Sequence, residues 1–256
     1  MKRNKFGNKI VFICLIATIL ILSCDSDKSE KHKRAKITES GIVNKIPSVC
    51  IWDGIAFRNE PFRKSVTLST LNLGESFYYL DTCTIDSTYR NQKYLRIELS
   101  DGSVGWAADF GLVINAKTGV VKSQVPVYKR PDLLTISNQQ LSPMDIVAVT
   151  EERDNWYKFT GEKKRLAGWI KISHISMNEE DIAFASIVKS KLAIKDDNSL
   201  LDKIQNILDE NPYPNSVFVE TLNKIAQEEK KKKQLEEIMM EQNWNRDRGK
   251  GSDRDK

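Results

Sequence analysis

An internal repeat of about sixty to seventy residues constrains this chain more than any other feature, because such a period means one small module present twice. The first copy opens Ile55-Ala56-Phe57-Arg58-Asn59-Glu60-Pro61 and the second Val125-Pro126-Val127-Tyr128-Lys129-Arg130-Pro131. Leu71-Asn72-Leu73-Gly74-Glu75-Ser76-Phe77 is matched by Leu141-Ser142-Pro143-Met144-Asp145-Ile146-Val147. Lys93-Tyr94-Leu95-Arg96-Ile97 is matched by Asn155-Trp156-Tyr157-Lys158-Phe159, and Val104-Gly105-Trp106-Ala107 by Ala167-Gly168-Trp169-Ile170. Around these motifs, apolar residues such as Val49, Ile51, Phe57, Val66, Leu68, Phe77, Tyr79, Leu95, Ile97 and Leu99 fall in short runs, several with period two. Pro61, Gly74, Asp101-Gly102 and Gly105 punctuate them. Short alternating segments between such turns predict a small all-β barrel or sandwich in each copy. Ser100-Asp101-Gly102 is the clearest hairpin signal, since Gly takes the positive φ of a tight turn at no steric cost.

These motifs resemble the bacterial SH3 domain, whose pattern runs roughly L-N-V-R-x-x-P, then L-x-x-G-x-x-V, W-x-K-V and G-W. Both copies keep the early proline, the aromatic before the hairpin and the closing Gly-Trp. They depart from it where Ala56 or Pro126 replaces Asn, where Tyr128 replaces Arg, and where the second copy lacks the middle glycine, Pro143 standing nearby. The resemblance spans Ile46 to Met177, about half the chain. It implies a mainly β protein with an α C-terminus: two SH3-like β-barrels, over 46–117 and 118–177, followed by a short helical segment. It also implies recognition of cell-wall peptide (peptidoglycan) or of a protein partner. SH3-like grooves are lined by aromatic rings. Trp52, Tyr78, Tyr94, Trp106, Tyr128, Trp156, Tyr157 and Trp169 are therefore the candidate groove. The competing role is core packing, which is the stronger one for each Trp, given the area an indole buries.

The N-terminus carries a second pattern. Met1-Lys2-Arg3-Asn4-Lys5 is a basic head, Ile10 to Leu22 is apolar, and Asp25-Ser26-Asp27-Lys28-Ser29-Glu30 is abruptly polar. A basic n-region, a short h-region and a small residue, Ser23, before the cut make a secretory signal peptide. Ile21-Leu22-Ser23-Cys24 also resembles the lipobox of bacterial lipoproteins, although such boxes usually carry Leu then Ala or Ser where this one has Ile21 and Leu22. The resemblance implies removal of residues 1–23, acylation of Cys24 and attachment to a lipid bilayer in the bacterial cell envelope. Asp25 resembles an inner-membrane retention signal in some bacteria and carries no such meaning in others, which leaves the leaflet open. An uncleaved anchor would need roughly 20 apolar residues, more than this run supplies. An ordinary cleaved signal with an incidental Cys24 is the other alternative. Residues 24–45 read as a polar tether, His32 included, with too few apolar positions to offset the entropy of ordering.

The formal charge of +5 is misleading for the exported chain. Lys2, Arg3, Lys5 and Lys9 leave with the signal, so 40 basic residues become 36 against 35 acidic ones, a net +1. No electrostatic reason to seek nucleic acid remains, since such binding rests on many cationic contacts to phosphate. Cys14 leaves too, and Cys50 with Cys83 is one possible disulfide in an oxidising compartment. The alternative is two buried thiols acting as small apolar residues.

After Ile175 the period changes to that of helices. Met177-Asn178-Glu179-Glu180-Asp181 reads as a helix start, with Ile182, Ile187 and Leu192 along it. Asn198-Ser199 caps a second helix carrying Leu200, Leu201, Ile204, Ile207 and Leu208 on one face. Asn211-Pro212-Tyr213-Pro214-Asn215 stops it, and Ser216 caps a third with Phe218, Leu222 and Ile225 inward. The helical segment is thus expected over 178–227. Residues 228–256 read as a charged helix end followed, past Trp244, by a disordered tail.

The sequence shows no phosphate loop, zinc spacing or EF-hand. His174 with Cys50 or Cys83 is the one weak dyad. No catalytic residue, metal or cofactor is therefore expected. The expectation is a non-enzymatic envelope lipoprotein. Alternatives are a structural or assembly lipoprotein with one envelope protein partner, and a surface-exposed host-binding adhesin.

Overall fold

Two seven-stranded antiparallel sheets follow the repeat strand for strand. The first holds β1 (Ile46–Cys50), β2 (Ile55–Arg58), β3 (Thr67–Leu71), β4 (Ser76–Asp86), β5 (Gln92–Glu98), β6 (Val104–Ala108) and β7 (Leu112–Ile114). The second holds β8 (Lys117–Val121), β9 (Val125–Tyr128), β10 (Ile136–Leu141), β11 (Ile146–Arg153), β12 (Trp156–Gly161), β13 (Ala167–Lys171) and β14 (Ile175–Ser176). Their spatial orders are β3-β2-β6-β5-β4-β1-β7 and β10-β9-β13-β12-β11-β8-β14, the same order displaced by one module. The structure, a computed structural model, describes residues 44–195 and 199–251. The expected signal peptide over residues 1–23, Cys24 and nearly all of the expected tether lie outside the described residues.

Each sheet encloses its own core. Cys50, Ile55, Phe57, Leu71, Phe77, Leu95, Ile97, Ala107 and Leu112 fill the first, and Val121, Val125, Val127, Leu141, Val147, Phe159, Ile170 and Ile175 fill the second. The closing Gly-Trp has a steric cause. A Cβ on Gly105 would lie 2.6 Å from the Arg58 carbonyl oxygen and from the Phe57 ring, and one on Gly168 would lie 2.5 Å from Val127 Cγ1 and 2.7 Å from the Tyr128 carbonyl oxygen. Only glycine lets β6 and β13 approach β2 and β9 so closely.

The missing glycine of the second copy is a finding of another kind. Gly74 holds φ +85, and Met144 holds φ 66 at the matching place. The bonds around them coincide: Gly74 N–H donates to Cys50 O at 2.7 Å, and Met144 N–H to Val121 O at 2.8 Å. The turn is therefore kept, with a methionine in left-handed backbone.

The modules dock through main chain as well as side chains. Val49, Ile51, Ala116 and Ala148 form a small shared cluster. Lys163 N–H donates to Ile51 O at 2.8 Å, and the buried Thr118 hydroxyl donates to Gly74 O at 2.9 Å. Residues Val43–Lys256 form one compact unit.

Among the described residues three α-helices complete that unit: α1 (Glu179–Ala193), α2 (Leu200–Asp209) and α3 (Phe218–Gly251). Asn178 caps α1, and Ser199 with Asp202 forms a capping box on α2, each satisfying N–H groups that a helix start leaves unpaired. Phe184, Ala185, Val188, Ile204, Ile207, Phe218 and Leu222 pack together and reach Val120 and Met144 of the second module. The Asp181 carboxylate, 4 % exposed, ties the ends together by accepting from the Ser176 and Ser216 hydroxyls and the Val217 N–H.

Three expectations are corrected. Cys50 and Cys83 are free thiols, Cys50 buried and Cys83 exposed. Val49 pairs with Ser76, seven residues before Cys83 on β4, which leaves roughly 20 Å of strand between the two thiols. Ile225 faces outward, and Ala226 takes its place inside because the buried stripe steps by four residues from Phe218 through Leu222. The helix also does not fade past Trp244 but runs unbroken to Gly251.

Candidate functional site

The eight aromatics do not line one groove; they divide among four places. In the second module, alternation along β12 and β13 sends Tyr157, Phe159 and Ile170 inward and Trp156, Lys158, Trp169 and Lys171 outward. Burial pushes the Tyr157 phenol above its ordinary value. The two outward tryptophans are nonetheless only 7 % exposed. Tyr128 lies 4.8 Å from the Trp156 ring at 75°, Lys171 Nζ stands 5.1 Å from Trp156, and Arg153 and Lys158 lie 5.3 and 5.9 Å from the Trp169 centroid. Glu151 bonds both Arg153, at 2.6 Å, and Lys158, at 3.5 Å. This layer is a cover of three cations and one carboxylate over the two indoles, with cation–π contacts of about 0.5–1 kcal/mol each.

The first module has the same positions with other residues. Tyr94 matches Trp156 and is 4 % exposed; Trp106, opposite Arg58 and Arg96, matches Trp169. Trp52 stands where the modules meet, edge-on to Phe110 at 5.2 Å and 90°, with Lys163 Nζ 5.8 Å above it.

Tyr78 is the candidate that remains open, 43 % exposed on β4. It lines a groove of about 290 Å³ built by three parts of the chain: Pro47 and Ser76–Tyr78 from the first module, Ala116–Thr118 from the start of the second, and Met177, Glu179 and Ile182 where α1 begins. A volume near 300 Å³ is at the small end for ligand sites, enough for a short peptide segment. Its floor is fixed by Ser76 Oγ, 3.0 Å from Thr118 Oγ1. Its wall is apolar at Pro47, Ala116 and Ile182, with Lys117 and Glu179 supplying charges of opposite sign. Lys45, bonded to Glu98 at 2.6 Å, holds its ammonium 5.8 Å from the Tyr78 ring centroid. Pro47 and Lys117 carry no motif, and Met177, Glu179 and Ile182 only that of a helix start, so the docking of modules and helix is what reveals them as groove residues.

The cysteine–histidine dyad is not assembled. Cys50 Sγ donates to Trp52 O in the first module, and His174 Nδ1 lies 3.2 Å from Ser123 Oγ at the end of the second. Among the described residues, no three His, Cys, Asp or Glu side chains converge as a metal site, and no helix is long and apolar enough to cross a membrane.

No protein-family model matches the chain, and no curated protein does. Among solved structures it is similar to NlpC2 from Trichomonas vaginalis, at 10% identity and TM-score 0.24, over 66% of this chain and 57% of that one. It is also similar to NlpC1 from the same organism, at 12% identity and TM-score 0.24, over 59% and 55%. The chain thus spans somewhat over half the length of the solved chains it matches.

Proposed function

We propose that this protein is a non-enzymatic bacterial envelope lipoprotein, anchored by acylated Cys24, whose tandem SH3-like modules bind a short cell-wall peptide of peptidoglycan. The observation that carries the reading is that the groove takes walls from both modules and from α1, so it exists only in the assembled tandem. Its chemistry suits a small zwitterionic segment. Tyr78 offers an exposed ring, Pro47 and Ile182 offer apolar contact, and Lys117 and Glu179 offer partners for a carboxylate and an amine. Aromatic-lined grooves with a few placed polar groups are the usual means by which SH3-like folds hold peptides.

The test is co-sedimentation of the Val43–Lys256 unit with purified sacculi at several salt concentrations. Wild type is expected to pellet with the wall, and Tyr78→Ala, at an exposed position, is expected to weaken binding roughly tenfold, the equivalent of about 1.4 kcal/mol. A wild-type protein that stays in the supernatant at every salt concentration overturns the ligand; undiminished binding by Tyr78→Ala overturns the groove. The anchor is tested separately by metabolic labelling with a clickable fatty acid, which Cys24→Ala abolishes.

A further inference from the structure

The row of side chains crossing the outer face at the closing Trp is complete in the second module and lacks its acid in the first. Cross-strand partners share a face, with Cβ atoms about 5 Å apart. Register sets Tyr128, Trp169, Lys158 and Glu151 side by side on β9, β13, β12 and β11. The Glu151 carboxylate bonds Lys158 and Arg153, the two cations over the Trp169 ring.

In the first module the same row reads Arg58, Trp106 and Arg96 on β2, β6 and β5. Arg58 Nη1 donates to Ser65 O at 2.8 Å and Thr67 Oγ1 at 3.0 Å, both uncharged, so its position is fixed and its charge is not. Among the described residues the Arg96 side chain has no hydrogen-bond, ion-pair or ring partner. Asp81 stands four residues past Phe77, as Glu151 stands four past Val147, yet it lies in the β4 bulge with φ 52 and makes no ion pair. Glu98, the next acid along β5, is held by Lys45 at 2.6 Å. Asp86, which acts on neighbouring Tyr94, accepts from the Arg63 N–H and from Thr88. Trp106 stays half-buried, where Trp169 is 7 % exposed.

We propose that Arg96 and Arg58, on either side of the Trp106 indole, form a subsite for the C-terminal carboxylate of a peptide. The second module supplies this carboxylate from its own chain, as Glu151; the first takes it from the ligand. The two arginine Cβ atoms lie roughly 10 Å apart across the indole, within reach of one carboxylate. A guanidinium presents paired N–H donors to both carboxylate oxygens while its face rests on an aromatic ring. The ligand's other end lies in the groove at Tyr78, a step that rests on the peptide reading of that groove. Tyr78 pairs with Glu98, two residues from Arg96 on the same face of β5. That separation is about 7 Å, and two residues of an extended peptide cover it. The subsite thus selects peptides with a free C-terminus over those whose C-terminus is amide-linked.

NMR titration of the nitrogen-15-labelled Val43–Lys256 unit with N-acetylglycine, and with N-acetylglycinamide as the uncharged control, tests the subsite without the groove. The Trp106 indole N–H and Arg96 Nε–H are expected to shift with the carboxylate and to respond about tenfold more weakly, or not at all, to the amide. Arg96→Gln should abolish the Trp106 response and leave the other indole signals in place, which shows that the fold is kept. Glu151→Gln should make Trp169 respond where it is silent in wild type, because Arg153 and Lys158 then lack their carboxylate. Tyr78→Ala should leave the acetylglycine response intact, so the groove and the subsite fail separately. N-acetyl-trialanine should bind more tightly than N-acetylglycine, and Tyr78→Ala should erase that gain. The subsite is overturned by a Trp106 indole that stays silent at the highest concentration reached, by equal response to acid and amide, or by a response that survives Arg96→Gln. Its link to the groove is overturned if the longer peptide gains nothing, or keeps its gain in Tyr78→Ala.

Discussion

The two modules share one backbone plan and differ in what docks onto it. In both, the turn before the fourth strand places one residue in left-handed backbone, Gly74 or Met144. A Cβ on Gly74 would meet Ile146 Cγ2 at 3.0 Å, because the second module is pressed against that turn. Met144 has the helices above it, and its side chain, 6 % exposed, fills the space among the helical core residues. The same turn is therefore the place where each module receives the next part of the chain. Its residue follows the visitor: no side chain where a β module sits flush, a flexible one where helices leave a gap.

The cores show a second exchange. Phe57 stands opposite Ala107 in the first module. The register Tyr128↔Trp169 places Val127 opposite Ile170 in the second. Phe with Ala and Val with Ile are different divisions of similar volume, which is how close-packed cores tolerate substitution. The largest effect is expected here. Phe57→Ala should cost about 3–5 kcal/mol, as a fully buried phenyl leaves a cavity. Phe57→Val and Ala107→Ile should each destabilise alone, by about 1–3 kcal/mol. Combined, they should recover much of the loss, being the second module's own solution. Urea unfolding of the four variants closes the cycle; a double variant as unstable as the sum of the singles would show that the two cores are not interchangeable.

Next in size is the turn. Met144→Ala keeps the left-handed strain and removes buried contacts to the helices, for a loss of about 2 kcal/mol or more. Gly74→Ala should cost about 1–2 kcal/mol from φ alone, plus whatever Ile146 must yield. Replacing Met144 by Gly separates strain from packing. If it is more stable than Met144→Ala, the backbone cost is real; if the two are equal, packing accounts for the whole effect.

These differences also mark how much the chain disclosed by itself. The repeat, the hairpin at Asp101-Gly102 and the two Gly-Trp pairs were legible because alternation, turn chemistry and a one-atom steric limit are local. Two small β modules follow from them, and the helical C-terminus from the change of apolar period after Ile175; the seven strands of each sheet do not. Met144 was opaque, since nothing in its neighbourhood signals a positive φ; the helices that hold it lie dozens of residues away. Of the groove, Tyr78 was among the candidate site residues, whereas Lys117 was not named and Met177 and Ile182 were read only as a helix start, because no strand or helix period says which modules touch. Trp156 and Trp169, weighted toward core over groove in the sequence, are buried, but not in the core, for a physical reason. They are buried by cations on the outer face, a third arrangement that hydropathy does not encode.

The smallest effect, and the most selective, concerns Cys50 and its counterpart Val121. Both sit in the same bond frame, Cys50 N–H on Glu75 O and Val121 N–H on Asp145 O. Burial chiefly pushes the Cys50 thiol from 9.0 up to about 11. A thiol whose folded value is raised contributes fully below the unfolded value near 9, and that contribution is lost as pH rises toward 11, because the unfolded chain ionises first. The first module should therefore weaken between pH 9 and 11 through this group. Cys50→Val, the second module's residue, should remove that part of the decline while changing stability at pH 7 by less than about 1.5 kcal/mol. Urea midpoints of both proteins at pH 7, 9 and 10.5 check it, and a parallel fall with pH in the two would assign the alkaline loss to other groups. A thiol reagent at pH 8 gives the companion result: in the folded Val43–Lys256 unit only exposed Cys83 reacts, and Cys50 follows on unfolding, since a buried, protonated thiol is not a nucleophile.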